Sequence, residues 1–512
     1  MWRIKSLDAI LATAEKKSLH RSLGPVQLTL LGIGAVIGTG IFVLTATAAQ
    51  KAGPGMMISF AIAGAVCAVA ALCYSELASM VPVAGSAYTY SYAVMGEVVA
   101  WLVGWALIME YALGASAVAV GWSGHIVGFI HDATGVTLPS MLTVGPSQGG
   151  LINLPAVFIV AAVTWLLVIG TKESARVNAV LVAVKLAALT MFVVITLPLI
   201  AHHTQNFAPL TPRGWGNPLD GSGAGVLGAA ASIFFAYVGF DAVSTAAEET
   251  RNPQRNVPIG LIGSLLICTV FYLLVSAGAI GSFGAQPLFG ADGVALGDGS
   301  RALAARCAQI GAHAPLVCSN EALAYVLREI GHPLAGNALG LAAVIALPSV
   351  VLMMMFGQTR IFFVMARDGL LPPVLASVHP KFKTPHVVTI FTGLVVALAA
   401  AFLPVGKLAD YSNSGTLFAF AVVSAAVMVL RVTNKDRVRP FRAPLLFVVA
   451  PLSIIGCLVL FVSLPIEAKL LFPAWSVIGL IFYFLYGYRR SYVGRGLESD
   501  EPLVEGPAGT PL

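Results

Sequence analysis

The stretch LTLLGIGAVIGTGIFVLTATAA, residues 28–49, is apolar from end to end and carries Gly32, Gly34, Gly38 and Gly40. About 20 apolar residues suffice for a helix across a bilayer. Glycine, however, costs a helix interior about 1 kcal/mol relative to alanine. What it offers instead is unusual dihedrals and a backbone that a ligand can approach. Backbone can leave helical geometry at membrane depth only where protein or a polar cavity satisfies it. The stretch therefore reads as a spanning helix interrupted near its middle. Gly34 and Gly38 also form a GxxxG pair, so close helix packing is the alternative. Thr39, set between two glycines, favours the interruption, because packing needs no hydroxyl there.

The rest of the chain supports a membrane reading. Of its 512 residues 58% are hydrophobic and only 10% charged, and the mean hydropathy is +0.88. A soluble domain carries about 25% charged residues and has no core large enough to hide this much apolar side chain. The expected fold is all-α and polytopic, with twelve spans near 28–50, 55–79, 97–126, 152–171, 175–200, 225–247, 257–281, 337–366, 386–404, 411–431, 444–464 and 471–488. The first span follows a polar lead and is too long for a signal peptide, so it is expected to be retained. With the N-terminus cytoplasmic, most of the 29 Lys and Arg fall on the inner side. The outer face holds only Lys51, Arg213, Arg301, Arg306, Arg328, Lys407 and Lys469. That asymmetry supports the orientation and accounts for the net charge of +6. The basic residues are spread over several inner loops, so nucleic acid is not an expected partner.

A second interruption is expected in SIFFAYVGFDAVSTAAEE (232–249), where Gly239 and Asp241 lie in an apolar span. It is five spans from the first and runs in the opposite direction. Matching interrupted spans of opposite orientation point to an inverted repeat with a central site. Residues 28–200 (spans 1–5) form the first repeat and 225–431 (spans 6–10) the second, with 444–488 appended. Residues 1–27 and 489–512 are cytoplasmic, the latter a disordered tail. A broken helix exposes NH groups for a carboxylate and carbonyls for an ammonium, which suits an amino acid or amine.

Ionisable residues inside the spans come next. Lys185 lies about ten residues into its span, too deep to snorkel comfortably, and is expected near the first break. There it replaces a bound sodium ion electrostatically and couples transport to protons. Glu110 is deep in the third span, where it can bond to the loosened first helix, bind a proton or receive a basic side chain. Asp241 is expected to order the sixth helix. Glu76 reads as interfacial, and GSAYTYSY (85–92) as an interfacial, re-entering segment with belt aromatics. Glu248, Glu249, Arg251 and Arg255 form either an inner gate or a solvated turn. Arg360 is expected to pair with an interior acid. The long outer loop 282–336 holds Cys307 and Cys318, which can form one disulfide or stay as unlinked thiols; spacing does not decide. The nine histidines sit near loops and span ends without metal-ligand spacing, so no metal or enzymatic chemistry is expected.

GIGAVIGTGIFVLTATAA (32–49), PVAGSAYTYSY (82–92), FFAYVGFDAVSTAAEETRNPQRNVPIG (234–260) and FGQTRIFFVMARDGLLP (356–372) together closely resemble the cationic amino acid transporter family of the amino acid–polyamine–organocation superfamily. The resemblance covers about residues 20–490 and is closest to bacterial, proton-coupled members. It implies the leucine-transporter fold, with two inverted five-helix repeats and helices 1 and 6 unwound at the site. It implies that Val36, Gly38, Thr39 and Gly40 cradle the α-carboxylate. Phe234, Phe235, Ala236 and Val238 would offer carbonyls to the α-amine and wall the side-chain pocket. Glu110 and Lys185 match the family's helix 3 glutamate and helix 5 lysine.

Met354 and Met355, above the GQTR motif, favour apolar or modest side chains. The expected function is therefore symport of neutral L-amino acids such as alanine with protons, by alternating access and without sodium or any cofactor. Arginine or lysine transport is the alternative, with Glu110 as side-chain partner; a polyamine carrier would need more acids. The expected location is a bacterial inner membrane. Oligomeric state is left open, a monomer included.

Overall fold

The computed structural model describes residues 3–5, 23–81, 86–170, 175–247, 250–311, 313–382 and 384–496. Among them the secondary structure is helical, with two isolated β-bridges. The helices are α1 (Pro25–Val36), α2 (Leu44–Ala52), α3 (Met56–Met80), α4 (Ser86–Val94), α5 (Glu97–Thr134), α6 (Leu154–Ile169), α7 (Ala175–Thr196) and α8 (Gly225–Ile233). They continue as α9 (Pro253–Phe283), α10 (Arg301–Ile310), α11 (Ala322–Glu329), α12 (Pro333–Arg367), α13 (His386–Phe402), α14 (Val405–Thr433), α15 (Leu446–Ser463) and α16 (Ile466–Phe482). Eight helical stretches are long and apolar enough to cross a membrane, and four shorter apolar helices accompany them among the described residues. The chain is a multi-pass membrane protein.

The first span is α1, a single turn Thr39–Phe42, and α2. The sixth is α8, a 3-10 turn Phe234–Tyr237 and a short turn Ala242–Thr245. Three helices start earlier than hydropathy suggests. Pro253 and Pro333 open α9 and α12; proline suits a first turn because its missing NH has no partner there in any case. Helix α14 begins at Val405, after Pro404, and its first turns carry Lys407 and Asp410, charges that a hydropathy window rejects. Tyr411 and Asn413 therefore lie in its second and third turns.

Helix α5 sits at the centre, packed against α12, α14, α13, α6, α4 and α16. Its contact with α16 is aromatic. Trp105 and Trp475 stack at 4.6 Å between ring centroids, and Trp101 stacks on Trp105 at 5.4 Å. Each of Trp105 and Trp475 donates its indole NH to the other's carbonyl at 2.8 Å.

The two faces of the bundle are named here from the charge asymmetry. On the inner face two interfacial expectations are corrected. Glu76 is 1% exposed, because Arg431 grips its carboxylate at 2.9 and 2.6 Å and the Ala443 amide adds a bond at 2.8 Å. Tyr88, Tyr90 and Tyr92 of α4 are buried rather than lodged in a lipid belt. The Tyr88 hydroxyl donates to Asp368, and those of Tyr92 and Tyr483 donate to Glu97. Arg3 and Lys5 pair with Glu97 and Asp368 at 3.3 and 2.8 Å, so residues 3–5 strap the inner ends of α5 and α12.

On the outer face the loop between α9 and α12 folds into α10 and α11 and carries a Cys307–Cys318 disulfide. Arg328 of α11 pairs with Asp132 at the end of α5 and with Glu321. Lys51, an expected outer-face charge, is buried: its ammonium donates to Asp410 at 2.8 Å and to Ser232 at 2.5 Å, and Ser232 in turn donates to Asp410. This cluster joins α2, α8 and α14.

Candidate functional site

Both expected interruptions are present. After α1 the ladder stops at Ile37 (φ −74°, ψ 94°) and Gly38 (φ −142°, ψ −147°) before the turn Thr39–Phe42. The first amides of such a turn have no intrahelical acceptor, so this end presents NH groups. After α8 and its 3-10 turn the chain extends at Val238 (φ −61°, ψ 138°). It then passes through Gly239 at φ +112°, a conformation that residues with a Cβ rarely adopt.

The two breaks lie against each other. A Cβ on Gly40 would collide with the Cα of Ala236, and one on Gly239 would come 3.0 Å from the Ala35 carbonyl oxygen. Tyr272 of α9 closes the junction, its hydroxyl 2.9 Å from Val36 O and 2.8 Å from Ala236 O. A hydroxyl has one proton, so it serves one carbonyl at a time and leaves the other with capacity for an incoming donor. Lys185 of α7, 1% exposed, donates from Nζ to Gly34 O at 2.8 Å. Asn413 of α14 donates to Ala231 O and Ser232 O, both at 2.8 Å, and holds the end of α8. The Thr39 hydroxyl makes a long contact, 3.5 Å, to Val118 O.

The candidate residues Val36, Gly38, Thr39, Gly40, Phe234, Phe235, Ala236 and Val238 are all buried at this junction. Met354 joins them through α5: a Cβ on Gly114 would lie 2.8 Å from Met354 Sδ and 3.5 Å from Phe235 Cε2. Met355 is fully buried beside it in sequence. Glu110 is buried one turn before Gly114, and its backbone carbonyl accepts from Ser412 at 3.0 Å. Neither carboxyl oxygen receives a hydrogen bond of ordinary geometry among the described residues; the neighbouring Thr416 hydroxyl donates to Ser412 O at 3.2 Å. Asp241 lies at the sixth-span break, its backbone carbonyl accepting from the Ser244 hydroxyl at 2.6 Å and from the Ser244 amide at 2.9 Å. Tyr111 reaches the Asp241 carboxylate at 3.5 Å.

Other candidates lie apart from the junction. Arg360 places its guanidinium 4.2 Å from the Phe356 ring centroid. Arg255 is exposed at the start of α9, and Glu248, its expected gate partner, lies outside the described residues. No group of three or more metal-ligating side chains occurs among the described residues. Sequence reasoning missed Tyr272 and Gly114. A lone tyrosine in an apolar span carries no signal of its own, and Gly114 belongs to no glycine-rich run.

Tyr272→Phe removes a donor from two buried carbonyls. An unsatisfied buried polar group costs about 1–3 kcal/mol, so uptake by reconstituted protein should fall on the order of tenfold with the fold retained. An unchanged initial rate would show that the hydroxyl is no latch between the breaks.

Comparison with known proteins gives a consistent result. The family model described as amino acid permease matches residues 23–486. The branched-chain amino acid permease BcaP of Bacillus subtilis (strain 168) is 43% identical over 496 residues, spanning 96% of this chain and 98% of the relative. A methylthioribose transporter from the same organism is 39% identical over 498 residues, 97% of this chain and 99% of the relative. The vacuolar cationic amino acid transporter 4 of Arabidopsis thaliana is 34% identical over 421 residues, 82% of this chain and 65% of the relative.

Proposed function

The chain belongs to the amino acid permease family, a family of transporters rather than enzymes, and on that premise we propose that it carries neutral L-amino acids in symport with protons. The observation that carries this reading is the junction of the two breaks. Amides of the turn Thr39–Phe42 supply one pole, and the Val36 and Ala236 carbonyls that share the Tyr272 proton supply the other. An amino acid offers the matching carboxylate and ammonium on one carbon. Gly38, Thr39 and Gly40 receive the carboxylate; Val36, Phe234, Phe235, Ala236 and Val238 frame the ammonium and the start of the side chain.

Met354 and Phe235, which meet over Gly114, contact the side chain. A flexible thioether beside an aromatic ring suits alanine and branched aliphatic side chains, and the similarity to a branched-chain permease supports the same class. Lys185 already places an ammonium on the Gly34 carbonyl. A fixed cation there makes sodium unnecessary, and loss of its proton in one conformation couples the gradient to substrate release. The protein works by alternating access in a bacterial inner membrane, with both termini cytoplasmic.

Glu110 supports a second reading. A buried carboxyl that receives no hydrogen bond of ordinary geometry among the described residues is the partner that a lysine or arginine side chain would need. One experiment separates the two. Purified protein in proteoliposomes is given labelled L-leucine, L-alanine or L-arginine under an inward proton gradient without sodium. Leucine and alanine should accumulate, arginine should not, and an uncoupler should abolish accumulation. Arginine uptake would instead favour the cationic reading, and a sodium requirement would overturn proton coupling.

A further inference from the structure

The outer loop leaves a cavity of about 200 Å³ above the first-span break. Ala46 and Thr47 of α2 form its floor, directly beyond the turn that carries Thr39 and Gly40; Val405 at the start of α14 forms one wall, and the disulfide-tethered Ser319 another. The lining mixes apolar and polar groups, as an amphiphilic guest requires.

Among the described residues its one charged side chain is Asp298, which is half-buried. Thr47 of α2 and Gly299 lie beside this carboxyl, and a Cβ on Gly406 would collide with its Oδ2. Asp298 feels the charges of the Lys51–Asp410 pair, the ammonium and the carboxylate both acting on it electrostatically. Lys51 spends its hydrogen bonds on Asp410 and Ser232, so the trio holds one negative charge more than positive. Burial pushes the Asp298 carboxyl above the usual carboxylate range, the Lys51 ammonium opposes this, and Asp410 adds to it. A carboxylate under-compensated in this way gains from a further cation.

We propose that this cavity is an outer waiting site for a primary ammonium group, and that Asp298 receives the ammonium of an amino acid before the first- and sixth-span breaks do. The assignment of the guest as substrate rests on the proposed function. The attraction to an ammonium rests on the cavity and its charges alone. The site also gives the long outer loop a task, since Asp298 and Ser319 both come from it.

The probes are isoamylamine, which keeps the ammonium and a branched chain, and 4-methylpentanoate, which keeps the chain and a carboxylate. Saturation-transfer NMR on the purified full-length protein should detect isoamylamine and not 4-methylpentanoate. Asp298→Asn should remove the amine signal, and Asp298→Glu should restore most of it. In uptake assays Asp298→Asn should raise KM about tenfold or more, the order expected for one charge-assisted hydrogen bond, with kcat changed less than about twofold. Equal amine signals from wild type and Asp298→Asn would overturn the site, as would a lower kcat with KM unchanged. Should the wild type take up no amino acid while the amine signal still depends on Asp298, the transport reading fails and the ammonium site stands.

Discussion

Replacing Gly40 with alanine is expected to abolish uptake, whereas the same change at Gly38 should leave most of it. The two glycines are two residues apart and look interchangeable in the sequence. Their surroundings are not. A Cβ on Gly40 would overlap the Cα of Ala236, and a backbone atom cannot rotate away as a side chain can. The methyl group would force the two breaks apart at the point where Tyr272 holds both. Overpacking of this kind costs about 1–3 kcal/mol where side chains give way, and more where backbone must move. A Cβ on Gly38 would make ordinary contact with the Val350 side chain, Cγ1 at 3.4 Å, and the φ of −142° is open to residues with a side chain. Initial rates of both variants at equal reconstituted amounts, with thermal melting of each in detergent, decide the matter. Equal losses at the two positions would mean that contact between the breaks does not govern activity.

Lys185→Met is expected to end proton-driven accumulation while exchange of internal for external substrate persists at a reduced rate. The side chain is buried, and its ammonium holds the Gly34 carbonyl in the last turns of α1. A hydrogen bond to a charged group contributes about 1.5–3 kcal/mol, so exchange should slow on the order of tenfold through loss of this tether. Accumulation against a gradient requires in addition a group that can gain and lose the proton, and methionine cannot. The comparison is made in one set of vesicles: net uptake under an inward proton gradient against counterflow at equal pH. Concentrative uptake surviving in Lys185→Met would exclude the lysine as the coupling group.

The parts of the fold that were legible are those set by local composition. Twelve apolar spans follow from hydropathy, because a bilayer demands that every backbone polar group be satisfied within the span. The interruptions are legible at Gly38 and Gly239, because glycine is the residue that unwound backbone selects. What escaped depends on distant partners. Tyr272 matters through carbonyls 236 and 36 residues away in sequence, and Gly114 through the volume of Met354. Tyr88 and Tyr92 have the composition of a lipid-belt segment; only the buried carboxylates Asp368 and Glu97 turn them inward. Glu76 read as interfacial because Arg431, its partner, is 355 residues further along the chain.

The paired indoles between α5 and α16 also make the protein its own optical probe. Two rings stacked at 4.6 Å share their excited state, which splits the circular-dichroism band of the chromophores and quenches their emission. The central helix α5 carries one partner and α16 the other. Any step of the cycle that tilts the central helix against that neighbour therefore changes an intrinsic spectroscopic signal, and the working transporter can be followed without a label, a tag or an engineered cysteine.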